Sequence, residues 1–320
     1  MEWQYKNRLH LVTGATGLYG RELVKRLVRK GALVRTVSRG PRPNDNAFNN
    51  DQVEHVVGDL KDPLIAKSVV KDAVALFHLA GLRGSIGIQT THAAELLAGN
   101  LMVCFNVLEA ARQAALERIA YVSTVTVYPP MSEYKEELAW SANPHEGDQY
   151  VAWAKRMAEK LLEAQEIQYG KKNYVVVRPV NTFGPFDNFD PDSALVVPAL
   201  IRRAIEEKGP FVVWGDGSAI RDFLYISDAI DGTLLAFEKG IGLGSFNLGS
   251  GCGYSIREVA EMVLEVTGRN LSVEWDSSKP SGEPKKIANI DKARRLLGFA
   301  PKISLQDAIS KTVTWYKTQR

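Results

Sequence analysis

The sequence predicts an α/β chain: a doubly wound parallel sheet with helices on both faces, and a smaller mixed α/β domain beside it. Three observations carry this reading. Short apolar, β-branched runs alternate with amphipathic stretches over the first 180 residues, the order that builds parallel strands with crossover helices. A glycine-rich turn, Thr13 to Gly20, joins the first apolar run directly to the first amphipathic stretch. After Pro179, proline and glycine become frequent and the apolar runs become short and scattered.

In chain order, Leu9–Thr13 has the composition of a strand. Arg21–Lys30 places Leu23, Val24, Leu27 and Val28 on one helix face, and Gly31 stands where a helix C-terminal glycine belongs. Leu33–Val37 and Val53–Val57 read as strands, and the polar loop Gly40–Asp51 between them as a mobile surface segment. A helix at Leu64–Asp72 and a strand at Ala75–Leu79 follow. Then come a long helix over roughly 93–115, a strand at Ile119–Ser123, a second long helix over roughly 151–169, and a strand at Val175–Arg178. In the second half, Phe211–Trp214 and Leu271–Trp275 read as short strands, and Ser255–Thr267 as a helix whose Ser255 and Glu258 have capping-box spacing.

Composition narrows the function. The 320 residues are 45% hydrophobic and 24% charged, an ordinary globular balance with enough chain to bury a core. A net charge of +3 gives no reason to expect nucleic acid or an anionic membrane as partner. No apolar run approaches the roughly 20 residues that span a bilayer, and Met1–Arg8 is polar. Cys104 and Cys252 lie far apart, which argues against a disulfide scaffold or a cysteine metal site and fits a reducing, cytoplasmic setting. No metal is expected.

The turn Thr13-Gly14-Ala15-Thr16-Gly17-Leu18-Tyr19-Gly20 is a dinucleotide signature in its proper context, between a strand and a helix. Its glycines permit a tight turn, close ligand approach and close helix–strand packing, and the free N–H groups of the helix start face a pyrophosphate. The cofactor contacts expected here come from Gly14, Thr16, Gly17, Leu18, Tyr19 and Gly20. The second strand ends Val37-Ser38-Arg39, without the acid that usually binds an NAD ribose. Arg39 suits a 2′-phosphate, so NADP is favoured over NAD; the alternative is that Arg39 is a solvated surface charge. Asp59 and Leu60 are placed to meet the adenine, and Leu79, Ala80 and Gly81 to lie against the cofactor. His78 reads as a packed histidine.

These residues resemble a known family. TGATGLYG, the Asp59-Leu60 pair, HLAG at 78–81, Asn100-Leu101 with Asn106, YVSTVTVY at 121–128, RPVNTFGP at 178–185 and GDGSAIRDFLYISD at 215–228 look, in that order, like an extended short-chain dehydrogenase/reductase. VAWAKRM at 151–157 and GPFDNFDPDSALVVPALIRR at 184–203 are similar to the GDP-L-fucose synthase branch. The resemblance implies a Rossmann domain at 1–180 plus roughly 215–245, and a nucleotide-sugar domain at roughly 181–214 and 246–320. It also implies a nicotinamide cofactor, a GDP-linked sugar substrate and a homodimer built on the two long helices.

The family's catalytic set is a Ser or Thr, a Tyr, and a Lys four residues after the Tyr. Thr124 and Lys155 match the first and last, and Lys155 and Pro179 also belong to the implied cofactor wall. The tyrosine position is Val151, which cannot transfer a proton and is left to the substrate pocket. Tyr150 stands one residue earlier, about 100° away around a helix. It serves only if the helix starts irregularly there, with Asp148 as N-cap; otherwise it is a cap or pocket aromatic. The Cys and His that move protons in GDP-L-fucose synthases fall at Thr126 and Asp190. Asp190 acts as an acid or base only if burial raises its pKa, and otherwise caps a loop. The resemblance further assigns Arg221, Asn181 and Lys279 to the diphosphate region, and Val197 and Arg202 to the segment around the base. For Arg221 the alternative is a surface pair with Asp222 or Asp228. Two functions stand: an NAD(P)-dependent nucleotide-sugar epimerase, reductase or dehydrogenase, or a catalytically weak binding protein of the same fold.

Overall fold

The computed structural model describes residues 3–82, 91–278 and 283–320. Its large sheet is built from β1 (Leu9–Thr13), β2 (Leu33–Ser38), β3 (Val53–Val57), β4 (Ala75–His78), β5 (Arg118–Val122), β7 (Tyr174–Pro179) and β12 (Ser245–Leu248). A short strand β6 (Glu133–Tyr134) lies elsewhere. The seven strands run in the order β12-β7-β5-β4-β1-β2-β3, and every pairing is parallel. Strand order therefore reverses between β1 and β4, and ligands of such sheets bind at the carboxyl ends of the strands flanking that switch point. The register sets Thr13 beside His78 and His78 beside Tyr121, so three polar side chains form a row at that edge.

Helices cover both faces. On one side lie α1 (Leu18–Arg29) and α6 (Ile226–Lys239), where Leu23, Val24, Leu27, Ile230 and Phe237 pack on Val12, Val34 and Phe77. On the other lie α2 (Pro63–Val70), α3 (Ala93–Gln113) and α4 (Gln149–Tyr169), where Val107, Leu108, Ala158 and Leu162 pack on Leu11, Leu76 and Tyr121. By length and composition alone α3 is apolar enough to cross a membrane, which the sequence reading did not anticipate. In the fold it packs as a core helix against α2, α4 and the sheet.

The second unit contains α5 (Val196–Glu206), α7 (Ile256–Thr267) and α9 (Leu305–Thr318), with its own core of Leu200, Ile201, Val259, Val263, Ile309 and Val313. A further helix, α8 (Asp291–Leu297), packs on α6 and β12. The remaining strands are β8 (Asn181–Phe183), β9 (Phe211–Trp214), β10 (Ile220–Arg221), β11 (Phe223–Tyr225), β13 (Tyr254–Ser255), β14 (Val273–Asp276) and β15 (Lys285–Ala288). They form a four-stranded sheet β13-β10-β15-β6 and the pairs β11-β8 and β14-β9. The capping box at Ser255 and Glu258 is present at the start of α7.

The structure departs from expectation in three local ways. Helix α1 begins at Leu18, directly on the glycine turn, rather than at Arg21. The loop 40–51 is tied down: Phe48 is fully buried, Arg21 pairs with Asp45, and Arg42 donates to the carbonyls of Phe48 and Asn50. Helices α6 and α9 and strand β12 were not foreseen. Their signals are the apolar spacing Ile226, Ala229, Ile230, Leu234, Phe237 and the Ser304 cap that accepts from Asp307 N.

Candidate active site

The glycine turn forms a cradle, and each glycine answers a different demand. A Cβ on Gly14 would stand 2.8 Å from Ala80 N, on a backbone with φ of 67°. A Cβ on Gly20 would stand 2.3 Å from Ala15 Cα. Both are therefore required by the fold itself. Among the described residues a Cβ on Gly17 would meet only Gly14 O at 3.7 Å, so their packing does not explain that glycine, whereas close approach of a ligand does. Beside the turn opens a cleft of about 550 Å³ lined by Gly14, Thr16, Ser38, Arg39, Asp59 and Leu60, with Ala80 and Gly81 opposite. Its size and its helix N-terminus fit a dinucleotide.

Second contacts hold the walls. Thr13 Oγ1 accepts from Leu79 N and Ala80 N at 3.2 Å each, and lies 2.7 Å from His78 Nδ1. From α3, Asn106 Nδ2 donates to the carbonyls of Leu60 and Lys61, fixing the turn after β3. The side chains of Leu18 and Tyr19 point away from the cleft, which leaves the expected contacts to their backbone. Leu18 is in the core, and Tyr19 Oη lies 2.7 Å from Thr233 Oγ1 and donates to Ala229 O behind α1. Only their backbone at the helix start can serve a ligand. The sequence reading missed Arg21, Arg42 and Lys61, which also line the cleft. A cation in the first turn of a helix, as Arg21 is, works against the helix dipole and was the available signal.

Helix α4 carries the Lys155 and Val151 positions. Lys155 is buried on it, and Nζ donates to Val122 O at 3.0 Å. Burial lowers its pKa, while Cys104 and Glu159 act the other way. Its amine lies near the cofactor wall: a Cβ on Gly81 would stand 3.4 Å from Nζ. Two residues beyond Val122, Thr124 Oγ1 accepts from Thr126 N at 3.2 Å and from Thr126 Oγ1 at 3.3 Å, which leaves the Thr124 hydroxyl hydrogen available. Val151 is half-buried one turn before Lys155. Tyr150 does not stand in for it: α4 is helical from Gln149, so Tyr150 already sits on regular helix, 38% exposed and one step round from Val151. Asp148 occupies the N-cap position without a side-chain cap bond; its carboxylate lies 3.6 Å from Lys286 Nζ.

A buried network holds α4 to the sheet one turn below Lys155. Arg178 donates to both oxygens of Glu159, from Nη2 at 2.6 Å and from Nε at 3.1 Å. Ser123 Oγ donates to Glu159 at 2.6 Å, Arg178 Nη1 reaches Tyr128 Oη at 3.0 Å, and Tyr128 Oη donates to Asn247 Oδ1 at 2.7 Å. The residue before Thr124 is thus fixed to the helix that carries Lys155.

The expected substrate residues are brought together in part. Asn181 and Val197 share a small pocket with Phe183, Leu195 and Phe223. Arg202 follows on α5, with Nη1 3.5 Å from Glu206 and a buried Nε that has no hydrogen-bond partner among the described residues. Arg221 is not paired with Asp222 or Asp228. The Asp222 carboxylate accepts from Ser250 and from the N–H groups of Gly251 and Ala288, and Asp228 accepts from Lys302 N and Ile303 N. Arg221 instead faces Tyr134, Glu283 and Asp148. Asp190 is exposed and caps a turn. The Ser193 hydroxyl and the N–H groups of Asp192 and Ser193 hold its pKa down, the opposite of what an acid at neutral pH needs. Lys279 lies outside the described residues.

Residues 10–249 match the family model described as the NAD dependent epimerase/dehydratase family. The chain belongs to that family. It is 34% identical over 239 residues to GDP-L-fucose synthase 1 of Arabidopsis thaliana, covering 73% of each chain. It is 26% identical over 322 residues to dTDP-4-dehydro-6-deoxy-D-allose reductase of Streptomyces bikiniensis, covering 98% of each. Among solved structures it resembles UDP-glucuronic acid 4-epimerase from Bacillus cereus in complex with UDP-glucuronic acid and NAD. There the TM-score is 0.84 at 27% identity, covering 98% of this chain and 100% of that one.

Buried titratable groups in this family member make its stability depend on pH. Burial lowers His10 to about 4 and His78 to about 3, and the Lys155 charge adds to the effect on His78. Trp3 Nε1 donates to His10 Nε2 at 3.0 Å, as the neutral ring requires. Both rings protonate more readily in the unfolded chain. Their contribution is complete above the ordinary histidine pKa and is lost as pH falls toward 4. Asp222 works in the opposite sense: burial raises it to about 6, so the folded state takes up its proton first and stability falls as pH rises through that value. Two histidines against one aspartate leave a net uptake of about one proton on unfolding near pH 5. The expected result is a lower denaturation midpoint at about pH 5 than at about pH 7, flattened by His10→Gln. A midpoint that rises on acidification would contradict it.

Proposed function

We propose that the protein is an NADP-dependent enzyme that transfers a hydride at a carbon of a GDP-linked sugar, as an epimerase, reductase or dehydrogenase. The observation that carries this is the pairing of a complete glycine cradle with a buried Lys155 that lies directly behind Gly81 of the same cleft. The nicotinamide, when bound, supplies or accepts the hydride. Gly14, Thr16 and Gly17 would hold its pyrophosphate, and Asp59 and Leu60 its adenosine half. Arg39, exposed at the rim of the cleft beyond a strand that ends without an acid, supports a 2′-phosphate. Lys155 would bind ribose hydroxyls and, with Thr124 and water, hold or move the proton at the sugar oxygen. Thr126 orients Thr124. The GDP-linked substrate is supported by the named relatives, and Arg221 and Asn181 are the groups for its diphosphate.

A cytoplasmic homodimer completes the proposal. Met102 and Phe105 on α3 are exposed apolar residues suited to a two-fold contact, and both cysteines are free. One observation favours a second reading, a weakly active binding protein: valine at 151. Titration of the purified protein with NADPH and NADH tests the cofactor assignment. NADPH is expected to bind at least tenfold more tightly, and Arg39→Ala is expected to remove that preference. Absence of binding by either nucleotide would overturn the function.

A further inference from the structure

His55 lies on β3, opposite Thr36 on β2, and neither the glycine turn nor α4 uses it. Its Nδ1 is 2.9 Å from Thr36 Oγ1, and its Nε2 is 3.2 Å from both Ser38 Oγ and Gly40 O. A carbonyl oxygen only accepts, so Nε2 carries a hydrogen. Ser38 Oγ donates its own hydrogen to Gly40 O at 2.9 Å and is left to accept from His55. The Thr36 hydroxyl sits between Nδ1 and Glu54 O, 3.1 Å away, and the Phe48 ring packs edge-on against the imidazole. One ring thus closes the turn Ser38–Gly40 onto the sheet. All three residues of that turn line the large cleft, and Arg39 makes no hydrogen bond or ion pair among the described residues.

We propose that His55 is a specificity-determining positioning residue: by closing the Ser38–Gly40 turn it aims the Arg39 guanidinium at the 2′ position of the bound adenosine ribose, and so sets the preference for the phosphorylated dinucleotide. This rests on the reading of Arg39 given above. The Ser38 hydroxyl is then a strut, its hydrogen spent on Gly40 O. A long arginine on a loose turn spreads over many rotamers, and a bidentate phosphate contact loses the most when its backbone anchor goes. Contacts to the rest of the dinucleotide come from other segments and are not touched.

The test is the dissociation constant of NADPH and of NADH, read by fluorescence, for wild type, His55→Ala and His55→Gln. The expected result for His55→Ala is about tenfold weaker NADPH binding with NADH within about threefold of wild type, so that the preference collapses. His55→Gln, whose amide can still donate to Gly40 O, should keep most of it. If His55→Ala does not fold, Thr36→Val removes the group that holds Nδ1 and should lower the preference in the same direction. Both constants weakening in parallel, or a preference unchanged in His55→Ala but lost in Arg39→Ala, would overturn the role of His55 alone. A wild type without preference for NADPH would overturn the Arg39 reading and this inference with it.

Discussion

Val151→Tyr is expected to raise turnover of the nucleotide-sugar substrate by about 10²- to 10⁴-fold, the usual worth of one positioned acid–base group. Position 151 is half-buried and one helical turn before Lys155, so a side chain there shares the lysine's face of α4. A phenol at that place lies one helical turn from the Lys155 amine, which acts on it in its protonated form although burial lowers its pKa. The positive charge lowers the phenol's pKa and favours proton exchange with a sugar oxygen. Thr124, whose hydroxyl hydrogen has no acceptor among the described residues, completes the set. Val151→Phe adds the ring without the hydroxyl and should give no gain. Dinucleotide affinity should change little in either variant. A tyrosine variant no faster than wild type would mean that protons travel by another route, or that the protein binds without turning over.

Glu159→Ala should destabilise the fold by about 3–5 kcal/mol, because it leaves Arg178 charged and buried without its partner. Both side chains are nearly inaccessible, at 3% for Arg178 and 7% for Glu159, so water cannot take over. The same change releases Ser123 and with it the anchor of Thr124 to α4. Replacing both ions together, as Glu159→Leu with Arg178→Met, should recover a large part of the loss, since an apolar pair carries no desolvation cost. Denaturant midpoints of the single and double variants form the cycle that checks this. A loss below about 1 kcal/mol in Glu159→Ala would show that the pair is not held as the structure has it.

What could be read from the chain was what depends on neighbours in sequence. The glycine turn was legible because strand, turn and helix are consecutive, and Gly14 and Gly20 meet backbone only a few residues away or on the adjoining strand. Helix–strand alternation gave the Rossmann sheet, though not that Ser245–Leu248 would join its far edge beside β7. Lys155 and Thr124 were found by resemblance, and the structure shows the lysine bonded two residues before that threonine. The direction of a side chain was less legible. Tyr19 stands between Gly17 and Gly20 of the glycine turn, yet the helix turns its ring into the core behind α1. Tyr150 stands next to the vacant tyrosine position, and one step of regular helix separates it from the role. Least legible were pairings across elements: Arg178 with Glu159, His55 with Gly40, and the shell of donors around Asp222. No local pattern announces these, because each joins residues that only the completed sheet brings together.

The most direct test of the account is consumption of NADPH by the purified protein in the presence of GDP-linked keto sugars, followed by loss of dihydronicotinamide fluorescence, for wild type and Lys155→Met. The account predicts slow, substrate-dependent consumption in wild type, raised by Val151→Tyr and abolished by Lys155→Met while the protein stays folded. Consumption that survives Lys155→Met unchanged would contradict the assignment of α4 and Lys155 as the centre of a hydride-transfer site, and none in wild type and in Val151→Tyr alike although NADPH binds would contradict the reductase form of the proposal.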